Sequence, residues 1–519
     1  MTSSAARVGA GLAQARDARR IRPGERIHIV GAAGAGASAA ALLAAHAGAS
    51  VTACDPGAPS PYTPALDALG IPIATAHAAS HVTGAPAPDR LAVTKALTAI
   101  DPDHAELAAA RALRIPVEAW QQVVADAAVG RTLVGVAGTH GKSTTAGWLV
   151  HVLVEAGHDP SAFVGALLPS NLTGGPPATA RWGRGAAFVV EADEYAGNFD
   201  PYHPILAVLT SAEWDHPDVF ADAAALGLAF EAWLRGAPSG ARLVANIGEP
   251  EVEKLLERLT DWPGAVVAYA LLDQAPQRLG GYARAIAERF ATRAGPAAAL
   301  IGRVIASDAD STTLEIHGLD ALTGPRRTRL ITAGQHNAAN ALAVAASAAA
   351  LGVPANVIVS ALASFAGVGR RLERKGAAGG VTVYDDYGHH PTAIRATIAA
   401  VRQREPGHRI WAVLEPLTFH RTAAMLDGLA DALSAADAVA VADIWASRDP
   451  DTTIASAAGL AQATAMRRPG LEVLAPGSVE ATAQRLAQLV VSGDVVLVMG
   501  GGRSYRIAEL LLRRLGERG

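Results

Sequence analysis

The sequence holds one cysteine in 519 residues, Cys54. An intramolecular disulfide is excluded, and the usage fits a reducing compartment such as the cytoplasm. Cys54 itself reads as a small buried strand residue. Aromatic residues make up only 5% and charged residues 18%, although half of the chain is hydrophobic. The core must therefore be packed mainly with small aliphatics, which favours helix-rich α/β layers. Neither sign of charge dominates. A formal net charge of -4 gives no electrostatic footprint for nucleic acid, so small molecules are the expected partners. No apolar run suits a bilayer. The longest weakly polar stretch, 338–365, is interrupted by Asn340, Ser347, Gly352, Pro354 and Asn356 and reads as a buried helix, a turn and a second helix. The first twenty residues carry Arg7, Arg16, Arg19 and Arg20 without a continuous apolar segment, so no secretory signal is expected and 1–22 reads as a disordered basic tail.

The length suits about three domains of ~100–200 residues. The first, 23–128, opens with the apolar run Arg26 to Val30, turns at Gly31 into an Ala-rich helix, and continues with a strand from Ser50 to Cys54 that ends at Asp55. That is a βαβ opening. The second, 129–364, opens with the buried-strand signature Arg131 to Ala137 and runs through a loop into a helical pattern reaching about Ala156. Further apolar strands, Ala187 to Val190 and Ile205 to Thr210, end at polar clusters, where doubly wound sheets carry ligands. The third, 365–519, alternates strands at 381–384, 409–414, 438–442, 471–475 and 494–499 with helix-length segments, as a parallel sheet of the dinucleotide-binding type does.

Gly138, Thr139, His140, Gly141, Lys142, Ser143 and Thr144 follow the strand at 131–137 directly. Such a loop offers backbone N–H groups at a helix start, a lysine for β and γ phosphates and a hydroxyl for magnesium. The full phosphate-loop spacing would place glycine where Val136 stands, so an ordinary glycine turn is the competing reading. Glu191-Ala-Asp-Glu-Tyr195 emerges from a buried strand where a triphosphate-bound metal would sit. A helix start rich in acids explains that cluster equally well taken alone. His216, in Trp214-Asp-His-Pro-Asp218, lies after another strand, and a lone histidine there is more often structural. The turn with Gly31, Gly34, Gly36 and Ser38 serves a ligand or tight strand–helix packing equally well.

In order and spacing, GTHGKSTT at 138–145, EADEY at 191–195, DHPD at 215–218, QHNAAN at 335–340, GRRLE at 369–373 and DDYGHHPT at 385–392 resemble the Mur ligases, and the likeness runs from about Arg26 to Arg513. It implies an N-terminal Rossmann-like domain for a UDP-sugar, a central P-loop ATPase with a parallel sheet, and a C-terminal Rossmann-like domain. The activity implied is ATP-dependent ligation of L-alanine, or a similar amino acid, to the carboxylate of UDP-N-acetylmuramate through an acyl-phosphate, in peptidoglycan precursor synthesis. Carried over residue by residue, Lys142 would hold the β and γ phosphates, Ser143 and Glu191 one Mg²⁺, and His216 a second. His336, Asn337 and Asn340 match a motif near the nucleotide. Arg371 would approach the γ-phosphate, Asp386 the ATP ribose, and His389 the reacting groups. Gly31, Gly34, Gly36, Ser38 and Asp55 would meet the UDP-sugar, although Asp55 suits a capping role as well. Arg421 would stand near the incoming amino acid.

Some members bridge metals with a carbamylated lysine. No lysine lies between Asp215 and Lys254, so none is expected here. Two departures touch substrate binding. Ala33 replaces a family glycine, and Leu417 and Thr418 stand where the family has a histidine and an arginine. Glu415-Pro416 and Glu194-Tyr195 resemble instead the branch that attaches a recycled tripeptide to the same UDP-sugar. A Mur-like scaffold that binds nucleotide without condensing anything is the reading of another class, against which the retention of Lys142, Glu191, His216, Arg371 and Asp386 argues.

Overall fold

Apolar runs that end at glycine or an acidic residue become buried strands, and they assemble three sheets. The computed structural model describes residues 8–272, 298–319, 324–447, 449 and 451–517. In the first sheet the order is Ile73–Ala74, Ser50–Cys54, Arg26–Val30, Arg90–Val93, Val117–Ala119, parallel throughout. The opening strand is thus central, as in a Rossmann-like half, and the turn after it lies at the reversal of strand order.

The central sheet has ten strands in the order Arg326–Leu330, Thr312–His317, Ala298–Ser307, Val266–Leu271, Arg242–Asn246, Leu206–Leu209, Thr132–Ala137, Ala187–Ala192, Ser161–Leu168, Ala178–Arg181. Its interior is parallel, with antiparallel additions at both edges. Thr132–Ala137 lies between Leu206–Leu209 and Ala187–Ala192, so the carboxyl ends of three neighbouring strands deliver Gly138, Thr210 and Asp193 to one place. Helices Lys142–Glu155 and Gln335–Ala350 cover this sheet. The second is largely alanine, which lets it approach the strands and the phosphate-loop helix closely.

The third sheet runs Glu373–Ala378, Val381–Asp386, Val495–Gly500, Ile410–Glu415, Ala438–Ala442, Glu472–Gly477, parallel except at the first strand. Near-continuous Val and Ala runs suit strands covered on both faces. Helices Gln335–Ala350 and Ala355–Ser364 fill the stretch read as helix, turn and helix. Among the described residues no helix is long and apolar enough to cross a membrane.

The expected basic tail is a correction for residues 8–22, which pack on the first unit. Arg16 reaches Glu118 at 2.9 Å and Asp126 at 2.8 Å, and Arg19 reaches Glu25 at 2.6 Å. The cause is an excess of buried acid. Glu25, Glu118 and Asp126 share one internal cation, Arg90, and the tail arginines complete the neutralisation. Against the opposing effect of burial, Arg19, the Arg22 N–H and Arg90 hold the Glu25 carboxyl down at about 2. Arg16→Ala leaves Asp126 short of a charged partner and is expected to destabilise the first unit by about 1.5–3 kcal/mol, read from urea unfolding. A change under about 0.5 kcal/mol, the scale of ordinary surface substitutions, would show that Arg90 alone suffices.

Candidate active site

The phosphate loop is shaped by two glycines in the left-handed region. Gly138 has φ +133°, and a side chain there would collide with Thr210 and Ser211, while Gly141 has φ +81° and faces the Asn340 amide oxygen, which a Cβ would meet at 2.5 Å. The loop is tied to the neighbouring strand end: His140 N–H donates to Ser211 Oγ at 2.8 Å, and Thr139 Oγ1 donates to the Glu213 carbonyl at 2.5 Å. Asn340 Nδ2 donates to Asn337 Oδ1 at 3.3 Å, and Asn337 Nδ2 to the Ala333 carbonyl at 2.8 Å. Both asparagines therefore organise the loop's back wall. His336 sits at the same helix start, where burial keeps its imidazole below the ordinary value. Thr144 is half-buried in the first turn of the helix.

Lys142 turns back into the loop, donating to the Gly138 carbonyl at 2.5 Å and to Glu194 Oε2 at 2.9 Å. Burial opposes its charge, but Glu194 and Asp193 outweigh burial and raise its pKa. Burial also pushes Glu194 up to about 7 despite Lys142. Ser143 Oγ donates to Glu191 Oε1 at 2.9 Å, and the other Glu191 oxygen accepts from Gly165 N at 2.6 Å. Asp193, Glu194 and His216 form a group whose ligand atoms lie within 4.8 Å of one another, with His216 Nε2 at 3.7 Å from Glu194 Oε1.

Residues from the third sheet complete this cluster. Arg371 Nη2 donates to Ser143 Oγ at 2.7 Å, and its Nε is buried without a hydrogen-bond partner. Asp386 accepts from Leu372 N and Gly388 N, both at 2.7 Å, which fixes the two loops flanking Arg371. His389 Nδ1 lies 2.8 Å from the Tyr387 carbonyl. Burial, with Arg421 nearby, holds the His389 imidazole well below its usual value.

Arg421, expected at the incoming amino acid, is engaged with the central unit. It is 1% exposed, pairs with Asp215 at 2.7 Å, and directs Nη2 to His216 Nδ1 at 3.0 Å. A guanidinium only donates, so His216 Nδ1 accepts and the ring proton sits on Nε2, facing Glu194. In this arrangement His216 presents an N–H rather than the lone pair that a metal needs. Thr418 has a positive φ and caps the helix Phe419–Ala424. The departure from the family pattern there therefore serves to aim Arg421.

In the first unit, Gly31 turns with φ +92°, and Asp55 accepts from Ala33 N at 2.9 Å and Gly57 N at 2.7 Å, so it braces the turn. Gly34 sits over the Gly31 carbonyl. Two of the residues expected at the UDP-sugar make packing contacts. Gly36 lies against the Trp120 ring, with no room for a methyl. Ser38 is fully buried and meets Thr179 Oγ1 at 3.1 Å. Both settle for packing, because they sit on the helix face turned toward the first unit's own core and the central sheet. Gly36→Ala is expected to lower stability by about 1–3 kcal/mol through overpacking, seen in thermal melts. An unchanged melting temperature would mean that Trp120 moves aside freely.

Some residues of the site carry no signal that sequence reasoning could weigh. Glu213 links His140 at 2.9 Å to Thr392 at 2.8 Å, and His140 packs on His390 with ring centroids 4.6 Å apart. Lys95 of the first unit donates to the Ala196 carbonyl at 2.8 Å, beside the acidic cluster. A short acidic run or an isolated lysine becomes informative only when topology sets its partners.

Three family matches tile the chain: the Mur ligase family catalytic domain over 26–132, the Mur ligase middle domain over 136–348, and the Mur ligase glutamate ligase domain over 370–502. UDP-N-acetylmuramate–L-alanine ligase of Roseiflexus castenholzii is 35% identical, covering 94% of this chain and 97% of its own. The enzyme of the same name from Frankia casuarinae is 36% identical, covering 95% and 98%. Among solved structures, UDP-N-acetylmuramate-alanine ligase of Thermotoga maritima superposes with a TM-score of 0.73 at 23% identity, covering 95% of this chain and all of that one. A murein peptide ligase of Psychrobacter arcticus reaches 0.69 at 24% identity, covering 95% and 99%. These two likenesses concern the fold.

Proposed function

The chain belongs to the Mur ligase family, and we propose that it joins L-alanine to the carboxylate of UDP-N-acetylmuramate, in an ATP-dependent, ADP-forming step of peptidoglycan precursor synthesis. The observation that carries the chemistry is Arg371, which crosses from the third sheet to the phosphate-loop hydroxyl of Ser143 at 2.7 Å. Cations from two units thereby converge on one point, as transfer of a γ-phosphoryl group requires.

A carboxylate is a poor electrophile, because its charge repels an amine and its oxygen leaves badly. Phosphorylation solves this. A sugar carboxylate oxygen bonds to the γ-phosphorus as the bond to ADP breaks. The amine nitrogen then bonds to the acyl carbon, phosphate departs, and the amine gives up a proton. Such a reaction asks mostly for positioning and charge neutralisation, and no nucleophilic side chain is needed.

The donors present suit a magnesium nucleotide. Ser143 and Glu191 would hold Mg²⁺, which supplies charge neutralisation between triphosphate oxygens. Glu194 Oε1, buried without a hydrogen-bond partner, supports a cation on that side as well. Lys142 would exchange Glu194 for phosphate oxygens. His216, with its proton on Nε2, is suited to donate to the transferred phosphoryl group; a metal there would require Arg421 to release Nδ1. His389 is neutral and, with Nδ1–H directed at Tyr387, is left with Nε2 to accept a hydrogen bond from the incoming amine. Asp386 positions Arg371 by its two backbone contacts and lies beside the expected ribose.

The test is phosphate release from ATP and UDP-N-acetylmuramate while the amine is varied among L-alanine, glycine, L-serine and the tripeptide. Release dependent on L-alanine is expected. Turnover with the tripeptide alone would replace this reading by the peptide-ligase one. ATP binding without turnover on any amine would leave a scaffold.

A further inference from the structure

We propose that the first unit holds one zinc-class divalent cation between Cys54 Sγ, His28, His81 and Glu106, a site distinct from the nucleotide site. The ligand atoms of these four residues all lie within 4.8 Å of one another. Cys54 Sγ is 3.2 Å from Glu106 Oε2, His28 Nε2 is 3.7 Å from the same oxygen, and His81 Nδ1 is 2.6 Å from Glu106 Oε1. Ligands around a tetrahedral zinc, with metal–ligand bonds of about 2.0–2.3 Å, stand roughly 3.3–3.6 Å apart. The Cys54 and His28 contacts to Glu106 Oε2 are close to that spacing, and the shorter His81–Glu106 contact would open by about 0.7 Å.

Hydrogen bonding to a buried carboxylate does not account for the whole group. Glu106 accepts from Ala78 N, His81 and Cys54, yet His28 Nε2 has no hydrogen-bond partner although His28 is 2% exposed. Its other nitrogen meets Thr52 Oγ1 at 2.8 Å, the outer contact that fixes a metal-binding imidazole with its free nitrogen inward. Next to it, His104 is 3% exposed with neither ring nitrogen partnered. His104 packs edge-on to His77 at 4.4 Å, and His77 Nδ1 lies 3.2 Å from Cys54 Sγ. Unpaired buried nitrogens are costly. Four histidines and a thiol around one buried carboxylate, drawn from positions 28 to 106, form a donor set of the kind zinc takes.

The ligase chemistry proposed above uses none of these side chains. They lie behind the turn that would meet the UDP-sugar: the Cys54 carbonyl accepts from Gly31 N at 2.9 Å and Ala32 N at 3.3 Å. A bound cation would therefore fasten that turn to the helix Ala105–Ala112. Burial, and then Glu106, raise the Cys54 thiol well above its usual value. Binding must displace that proton to solvent, so affinity increases with pH.

Because Cys54 is the single cysteine of the chain, a thiolate–metal signal can come only from this site. The full-length protein is stripped with a chelator and titrated with Co²⁺. One equivalent is expected to produce tetrahedral d–d bands together with near-ultraviolet sulfur-to-cobalt charge transfer, both bleached by Zn²⁺. Cys54→Ser should lose the charge-transfer band. His81→Ala should weaken Co²⁺ binding about tenfold or more. If the cysteine variant does not fold, as judged by circular dichroism, the wild-type spectrum alone decides. Cobalt bound without the thiolate band, or no cobalt bound, overturns the proposal. Neither result bears on the ligase reading, which the phosphate-release assay tests separately.

Discussion

Lys142→Gln is expected to lower alanine-dependent phosphate release by about three orders of magnitude, with the folded protein retained. The size follows from losing a fixed cation where charge develops in a water-poor site, for which single donors contribute roughly 10²–10³-fold and phosphate-directed cations more. Retention of the fold follows from Glu194. That carboxyl already stands at about 7 because of burial, and without Lys142 it rises further and accepts a proton rather than remaining a buried anion. The sign of the pH dependence is then set. A carboxyl with a raised folded pKa binds a proton that the unfolded chain has released, so stability falls as pH increases from the ordinary carboxylate range through the raised value. The variant should therefore lose more stability relative to wild type at pH 8 than at pH 6. Release within tenfold of wild type would remove Lys142 from the phosphate site. A stability difference that does not vary with pH would show that Glu194 is not the group left behind.

Much of this was legible because strand–turn–helix signals are local. Thr132–Ala137 and its glycine loop announce themselves in sequence, and so do Arg26–Val30 and Ser50–Cys54. The antiparallel edge strands, such as Ala178–Arg181 and Arg326–Leu330, were not, because an edge strand carries polar residues and lacks the unbroken apolar run. Gly36 and Ser38 could not be sorted between ligand and packing until Trp120 and Thr179 were placed beside them. Nor does the basic composition of the first twenty residues reveal docking: Glu118 and Asp126, which hold Arg16, lie about a hundred positions downstream. The histidines around Glu106 are hidden in the same way, since His28, His77 and His81 come to it from separate elements. The family resemblance supplied the grouping of Lys142, Glu191 and Arg371, whereas the pairing of Arg421 with Asp215 needed coordinates.

Arg421→Ala should open the molecule between the central and third units. Asp215 is buried, and Arg421, itself nearly inaccessible, is its ion-pair partner at 2.7 Å. Removing one member of such a pair costs about 3–5 kcal/mol, mostly through the charge left behind. Within either sheet the chain would have to unfold to relieve it, but this pair spans two units, and separating them returns Asp215 to water. The variant should therefore shift the open–closed balance by roughly 10²–10³-fold, since each ~1.4 kcal/mol is a factor of ten. Small-angle scattering would register a larger radius of gyration, and KM for ATP would rise as Arg371 leaves Ser143. The effect has a defined pH sign. In the wild type Asp215 is held well below its ordinary value because Arg421 outweighs the effect of burial, so its contribution to closure is present above the usual carboxylate range and lost only as pH falls through the depressed value. In the variant burial is opposed only by the nearby His216, His389 and His390 and by the His216 N–H, so the carboxyl moves up from its wild-type position, and lowering the pH from 8 toward 5 should favour its protonated form and bring the units back together. Pairing Arg421→Met with Asp215→Asn should restore the compact radius at pH 8, because neither position then carries a charge that could be left unpaired, while turnover stays low through loss of the contact to His216. An unchanged radius in the alanine variant at pH 8 would mean that the contacts of His390 with Trp214 and of Thr392 with Glu213 hold the units together without this ion pair.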